Sequence, residues 1–481
     1  MTAVTARQVS GRHASVPPPP VRRRGWWPDL LGAVTWLSML VVVALWVGHH
    51  GVQDLGSLGS ELTSVGRLTG LVAADLLLIQ VFLMARVPVV ERTYGQDRLA
   101  RWHRVVGFTS VNLMLAHIAF VLLGYTVTAR TGLLSETWDV ITTYPGMLLA
   151  TGGTAALVLV VVTSLRAARR RLRYESWHLL HLYAYLGVGL ALPHELWTGT
   201  EFVSSPAATV YWWTAYGVAA GSVLVFRLGL PAWRSLRHRI RVHGVVPEAP
   251  GVWSVYLAGR RLDRLPVRAG QFLNWRFLAG PGWTRAHPYS LSARPPSATL
   301  ASRSPVTFGR PDMLRITVKE LGDESRLVSR LRPGTRVLIE GPYGGMTGAA
   351  RRTPRMTLLA CGIGITPLRA LLEEQAYAPG EATLLYRARS ADDLALRGEL
   401  EAIAAHRGVR VGYLLGPRGA HGSWLPEGYD RGDRALRRMV PDIAAHDVFI
   451  CGPDEWMSAA AESVRRAGVP DAQLHIEHFS W

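Results

Sequence analysis

Four histidines define the chemistry open to this chain. His103 and His117 stand fourteen positions apart in the apolar run RWHRVVGFTSVNLMLAH. On an α-helix, fourteen steps rise about 21 Å and fall about 40° short of four whole turns, so the two imidazoles share one face at two heights. A second apolar run, SWHLLHLYAYLGVGLALPHELW, carries His178, His181 and His194. The last two are thirteen apart, about 140° from whole turns on a straight helix. Pro193 supplies a kink that can re-aim the second ring. If both runs cross a bilayer, His103 with His181 and His117 with His194 can grip two irons stacked along the membrane normal. His178 competes with His181, three residues away. A lone intramembrane histidine can equally be helix-to-helix glue, but two pairs at matching depths favour ligation.

Such ligands need helices long enough to span. Six apolar runs of about twenty residues, the length that crosses a bilayer core, occupy roughly 28–48, 65–85, 105–125, 146–165, 176–197 and 208–229. Arg86, Arg92, Arg98, Arg101 and Arg104 lie between the second and third runs, and Arg166, Arg169, Arg170, Arg171 and Arg173 between the fourth and fifth. Arg234, Arg237, Arg239 and Arg241 follow the sixth. Arginine marks the cytoplasmic side. Both termini are therefore expected inside a cytoplasmic membrane, with His103 and His181 near the inner face and His117 and His194 towards the outer one. Asp75, within the second run, is open to a functional role or a helix-to-helix hydrogen bond. Residues 1–25, with PPPP followed by Arg22, Arg23 and Arg24, read as a disordered cytoplasmic arm, and the first run as a retained anchor.

Composition agrees with a hybrid of membrane and soluble parts. The mean hydropathy is +0.14. The net charge of +18 over 481 residues would suit a nucleic-acid binder, but the arginines cluster beside apolar runs. A lipid bilayer is the expected partner, with no nucleic acid. Two cysteines, Cys361 and Cys451, ninety positions apart, exclude a disulfide framework, a zinc site and a cysteine-ligated iron–sulfur cluster.

From about residue 240 the sequence turns to short alternating segments such as GVWSVYLAGRRL and LRITVKEL. These predict antiparallel strands closing into a small barrel, with 294–311, rich in Pro and Ser, as an inserted loop. After residue 354, strand, turn and helix alternate, which predicts a parallel sheet covered by helices. The expected domains are a 1–25 arm, a 26–232 six-helix transmembrane domain, a 233–350 β-barrel and a 351–481 Rossmann-like α/β domain. In CGIGITP, Gly362, Gly364, Thr366 and Pro367 sit where a buried strand gives way to a helix, as a dinucleotide pyrophosphate requires. Cys451 in FICGP ends a later strand, where it can border a nicotinamide or simply fill a core. Arg387 and Arg389 follow the next strand, where a guanidinium fork suits a ribose 2′-phosphate and favours NADPH over NADH. HPYSLS at 287–292 and GDES at 322–325 supply an imidazole, an aromatic ring, hydroxyls and a flexible glycine. The final HIEHFSW places Phe479 and Trp481 either as a packing plug or as a cover for a flavin ring.

In this order, the paired histidines, HPYS, GDES, GPYG at 341–344, CGIGITP and CGP resemble the ferric reductase and NADPH oxidase family over about residues 60–481. That family joins a six-helix haem domain to a ferredoxin–NADP reductase-like module. The resemblance implies that His287, Pro288, Tyr289 and Ser290 hold the isoalloxazine and ribityl part of FAD. It implies that Gly322 and Ser325 meet the pyrophosphate of FAD, and that Gly452 and Pro453 complete the nicotinamide site. Phe479, or else Trp481, would stack on the flavin. Two haem b groups would sit between His103 and His181 and between His117 and His194. Cys361 departs from the family, which usually has a small residue such as glycine there. No EF-hand or ferredoxin segment is evident. The implied activity moves electrons from cytoplasmic NADPH (or NADH) through FAD and the haems to an outer acceptor: oxygen, a ferric chelate or a redox partner protein. The alternative is a haem-free, membrane-anchored NAD(P)H:flavin or quinone reductase.

Overall fold

The computed structural model describes all residues except 1–25, 170, 173, 204, 281–282, 297–309, 311, 420–421, 430 and 478–481. The expected N-terminal arm, most of the Pro/Ser-rich loop, Phe479 and Trp481 lie outside the described residues. The chain divides into two compact units, Gly25–Gly229 and a second that includes Leu230–Trp481.

The first unit is helical: α1 (Trp27–Gly48), α2 (Leu58–Leu83), α3 (Pro88–Tyr94), α4 (Gln96–Ala129), α5 (Leu133–Thr143), α6 (Met147–Ser164), α7 (Arg166–Arg169), α8 (Tyr174–Thr198), α9 (Thr200–Val203) and α10 (Pro206–Ser222), followed by a π-helical turn, Val223–Gly229. Local chemistry sets several ends. Ser57 and Ser60 form a reciprocal capping box on α2. Ser205 caps α10 by accepting from Ala208 N at 3.1 Å, with Pro206 next, where its missing N–H costs nothing. Five helical stretches among the described residues are long and apolar enough to cross a membrane: Trp27–Gly48, Leu58–Leu83, Arg98–Ala129, Met147–Ser164 and Pro206–His238. Thus five of the six expected spans meet that measure. The remaining run, α8, is 25 residues long, and its three histidines and Pro193 dilute its apolar character. The connection after α4 carries α5. Trp36, Leu37 and Leu40 on α1 and Leu148 on α6 are exposed, an apolar surface that suits lipid.

Within this unit α2 packs along α4, and α6 along α8. Asp75 on α2 is buried and accepts hydrogen bonds from Ser38 on α1 at 2.7 Å and Tyr211 on α10 at 2.8 Å. It ties three helices together.

The second unit opens with α11 (Leu230–His238) and two antiparallel sheets. One has order β1-β2-β5 (Arg241–Ala249, Val252–Ala258, Leu314–Lys319), the other β4-β3-β6 (His287–Ser290, Phe272–Phe277, Val337–Tyr343). Where a small closed barrel was expected, the strands form two three-stranded antiparallel sheets whose edges are joined by the bridges Arg241↔Arg336 and Leu291↔Ile316. β1 breaks its register at Val242/Gly244 and Pro247/Ala249, and Pro247, Pro288 and Pro342 lack the N–H that a continuous ladder needs. Val255, Leu257, Leu273, Trp275, Ile316 and Ile339 fill the space between the sheets. The one-turn α12 (Asp323–Arg326) follows β5.

The remainder is a five-stranded parallel sheet, ordered β11-β10-β7-β8-β9. Its strands are β7 (Met356–Cys361), β8 (Ala382–Ala388), β9 (Arg410–Leu415), β10 (Asp447–Cys451) and β11 (Leu474–Ile476), with α13 (Ile365–Glu374), α14 (Arg397–Arg407), α15 (Gly432–Met439) and α16 (Asp454–Arg466). β7 and β8 are buried almost throughout, as expected of parallel strands covered on both faces.

Candidate functional site

α4 carries His103 and His117, and α8 carries His178, His181 and His194. The rings of His103 and His181 have centres 5.9 Å apart and planes at 62°. Two imidazoles holding one ion from opposite sides, with metal–nitrogen bonds of about 2.1 Å, place their ring centres about 6.5 Å apart. This pair lies within about 0.6 Å of that spacing.

All four rings engage the protein through Nδ1. The acceptor for His103 is the carbonyl oxygen of Gln80 at 3.3 Å, and for His117 that of Gly66 at 2.8 Å. A carbonyl only accepts, so both rings carry their proton on Nδ1 and leave the Nε2 lone pair for a metal. His181 Nδ1 meets Ser164 Oγ at 3.3 Å, and His194 Nδ1 meets Thr198 Oγ1 at 2.6 Å. Thr198 donates its hydroxyl proton to its own helix at His194 O, 2.7 Å away, so His194 also donates from Nδ1. Metal-bound histidines are oriented in this way by the groups behind them. The close approach of α2 depends on Gly70, where a Cβ would lie 2.5 Å from His117 Nδ1. Among the described residues no group of three or more His, Cys, Asp or Glu could hold a metal; the donor sets here are pairs of imidazoles.

In the second unit, β3 and β4 pair Asn274 with Pro288 and Leu273 with Tyr289. The His287 and Tyr289 rings stack at 6.0 Å and 15°. Burial pushes the Tyr289 phenol up to about 12 and holds the His287 imidazole below its usual range, so both are neutral near pH 7. Ser290 Oγ and Asn274 Oδ1 are buried without a hydrogen-bond partner. Buried polar atoms are normally paired, and two orphans on adjacent strands fit the polar edge of a flavin nucleotide. Ser325 Oγ accepts from Leu321 N at 2.8 Å and Gly322 N at 3.0 Å and donates to Gly322 O at 2.9 Å, which closes the turn that opens α12. Glu477 accepts from Gly345 N and Met346 N, each at 3.2 Å. It fixes the chain just before the undescribed Phe479 and Trp481 to the turn after GPYG.

β7 and β10 are neighbours from which the chain departs in opposite directions, a switch point where loops part and leave a crevice. The structure brings CGIGITP and CGP together there. Gly362 has φ +55°, Gly362–Gly364 form a 3-10 turn, and α13 starts at Ile365. A Cβ on Gly364 would lie 2.2 Å from Cys451 O, and one on Gly452 would lie 2.8 Å from Cys361 Cβ, so the two loops touch through glycine. Thr366 Oγ1 donates to Ile363 O at 3.0 Å, holding the turn. Cys451 is fully buried, and burial pushes its thiol well above the usual range. Arg387 is buried and donates to the carbonyls of Ala388, Leu414 and Gly416. It clamps strand ends, whereas Arg389 is exposed at the same edge.

One constellation carries no motif and escapes sequence reading. Arg315 on β5, 2% exposed, forms a forked pair with Glu399 on α14 at 2.5 and 2.8 Å. Glu399 also meets the buried Arg369 of α13 at 2.8 Å, and Arg369 pairs with Glu373. Glu373 accepts from Arg294 N at 2.8 Å and Glu374 from Ala269 N at 2.9 Å. The two antiparallel sheets are thereby bolted to the helices of the nucleotide loop. Alternating charge on α13 was the one available signal, and it resembles that of any solvated helix.

Comparison with known proteins matches residues 69–192 to the family described as ferric reductase like transmembrane component, and residues 358–462 to the oxidoreductase NAD-binding domain. The chain is 33% identical over 225 residues to ferredoxin–NADP reductase B of Sorangium cellulosum, covering 44% of this chain and 84% of that protein. It is 31% identical over 221 residues to the ferredoxin reductase component of 3-ketosteroid-9-alpha-monooxygenase from Mycolicibacterium smegmatis. That match covers 45% of this chain and only 57% of the relative's length. Among solved structures, the flavohaem-like FAD/NAD-binding domain of nitric oxide dioxygenase from Vibrio cholerae is similar at 23% identity and a TM-score of 0.40. It covers 50% of this chain and 98% of that one. The chain thus belongs, through its C-terminal FAD/NAD-binding module, with the ferredoxin–NADP reductase-like oxidoreductases, and it joins that module to a stretch that matches a ferric reductase-like transmembrane component.

Proposed function

We propose that this protein moves electrons from cytoplasmic NADPH, through FAD and two b-type haems, to an acceptor on the outer face, either oxygen, giving superoxide, or a ferric chelate. The membrane is the cytoplasmic membrane, both termini lie inside, and the domains run 26–232, 233–350 and 351–481. When bound, FAD accepts hydride and releases single electrons, and haem relays them across the bilayer.

His103 and His181 would hold the inner iron and His117 and His194 the outer one, with His103, His117 and His194 presenting Nε2 because their Nδ1 donates to the protein. His287, Pro288, Tyr289 and Ser290 seat the flavin, and Gly322 and Ser325 shape the turn at its pyrophosphate. Gly362, Gly364, Thr366, Pro367, Gly452 and Pro453 form the nicotinamide nucleotide crevice. Buried Cys451 offers its floor, and exposed Arg389 meets the 2′-phosphate, with Arg387 bracing the strand beneath. Phe479, or Trp481, would be the residue to cover the flavin ring.

The observation that carries this reading is the His103–His181 pair, spaced for one ion and oriented through Nδ1. Reduced-minus-oxidised spectra of the purified protein test it, with b-type bands expected. A haem-free protein that still oxidises NADPH would return the alternative of an anchored flavin or quinone reductase. Parallel assays of superoxide and ferric-chelate reduction at the outer face then identify the acceptor.

A further inference from the structure

The helical run Pro206–His238 is 33 residues long, whereas about twenty residues traverse the hydrocarbon core. Its final turns, α11, lie beyond the length that a span requires. Trp233 and Leu236 on α11 are 53% and 73% exposed. With Arg237, Arg239, Arg260 and Arg261 they line an open cavity of about 440 Å³. No acidic residue lines it, and among the described residues none of the four guanidiniums is paired with a carboxylate. Arg237 lies over the Trp233 ring, 5.0 Å from its centre.

The cavity is built, not incidental. Buried His238 holds the end of α11 to the β2–β3 connection: its Nδ1 meets Arg260 O at 3.0 Å, and Arg260 N donates to His238 O at 2.6 Å. Arg239 and Arg261 sit at φ +44° and +51°, a left-handed conformation that costs a residue with a Cβ and that glycine would adopt freely. Two strained arginines on one rim point to a use for their side chains.

We propose that this cavity binds the phosphate of an anionic phospholipid from the surrounding bilayer, with Trp233 and Leu236 entering the interfacial zone beside it. Guanidinium forks match phosphate oxygens two at a time, and tryptophan is favoured at the membrane interface. A free phosphate would satisfy the arginines but would make no use of the exposed apolar pair, which argues for a lipid source. The proposal does not depend on haem, acceptor or nucleotide specificity.

Calorimetric titration of the detergent-purified full chain with dioctanoyl phosphatidylglycerol, dioctanoyl phosphatidylcholine and inorganic phosphate tests it. Phosphatidylglycerol should bind tightest. Arginine near an anionic lipid surface contributes about fivefold in affinity, so R260A/R261G should weaken binding roughly 25-fold. Glycine at 261 also relieves strain, so thermal unfolding and NADPH-dependent ferricyanide reduction should not fall. R237Q/R239G, at and just past the end of α11, should weaken binding similarly and serves if the first variant misfolds. Equal binding of the two lipids, displacement by equimolar phosphate, or wild-type affinity in a folded double variant would each overturn the proposal.

Discussion

Gly70→Ala is a one-methyl change that tests the outer histidine site from a neighbouring helix. Alanine is favoured over glycine in a helix interior by about 1 kcal/mol, so a position with free space would gain stability. Here the new Cβ would lie 2.5 Å from His117 Nδ1 and 2.9 Å from two ring carbons. Ordinary contact lies near 3.5 Å, so the ring must retreat by about 1 Å. That retreat breaks the 2.8 Å bond to Gly66 O, worth about 1 kcal/mol net, and removes the group that orients Nε2, a change that lowers metal affinity about 10- to 100-fold. His103 and His181 are untouched. The assay is haem per polypeptide by pyridine haemochrome, alongside NADPH-dependent flavin reduction. The expected result is a fall from two haems towards one, with flavin reduction unchanged and outer-face reduction abolished. A G70A protein that keeps two haems and unfolds at a higher temperature would refute both the packing argument and the placement of the outer ligand.

Other outcomes follow from the soluble unit. Glu399→Ala leaves the buried Arg315 without its carboxylate and Arg369 with Glu373 alone; because Glu399 is partly exposed, the lower end of the buried-pair range applies, about 3 kcal/mol. At 2–4 °C per kcal/mol, calorimetry should show this unit melting about 6–12 °C lower, and a shift within 1 °C would mean that the network is idle. Arg389→Ala should lower kcat/KM for NADPH about 10- to 100-fold while sparing NADH, the range of a charge-assisted hydrogen bond; steady-state kinetics with both nucleotides decide it. Asp447 gives a pH dependence. Burial by itself would raise its pKa, but bonds from His475 Nε2 at 2.9 Å and from Arg352 N and Thr353 N at 2.7 Å outweigh burial and hold it below 3.8. A depressed folded pKa means that stability is complete above the unfolded value and is lost as pH falls through the folded one. Urea unfolding should therefore show stability falling below about pH 4 in the wild type, and a lower, flatter profile in Asp447→Asn.

Sequence alone determined that the chain is part membrane and part soluble, that imidazoles stand at two depths on two helices, and that a glycine-rich turn precedes a helix in a parallel sheet. These are local relations: helical rise, apolar run length and strand–turn–helix alternation are all written within some twenty consecutive residues. Tertiary structure decided which atoms meet. His117 finds its acceptor 51 residues away at Gly66, and Arg315 its carboxylate 84 residues away at Glu399, and neither partner belongs to a recognisable motif. Arg387 and Arg389 look alike in sequence, yet one turns inward to three carbonyls and the other faces solvent. How the six antiparallel strands divide into two three-stranded sheets likewise depends on where prolines and register breaks fall against partner strands. A side chain's type is local, but its hydrogen-bond partners and its burial belong to the packing of segments distant along the chain.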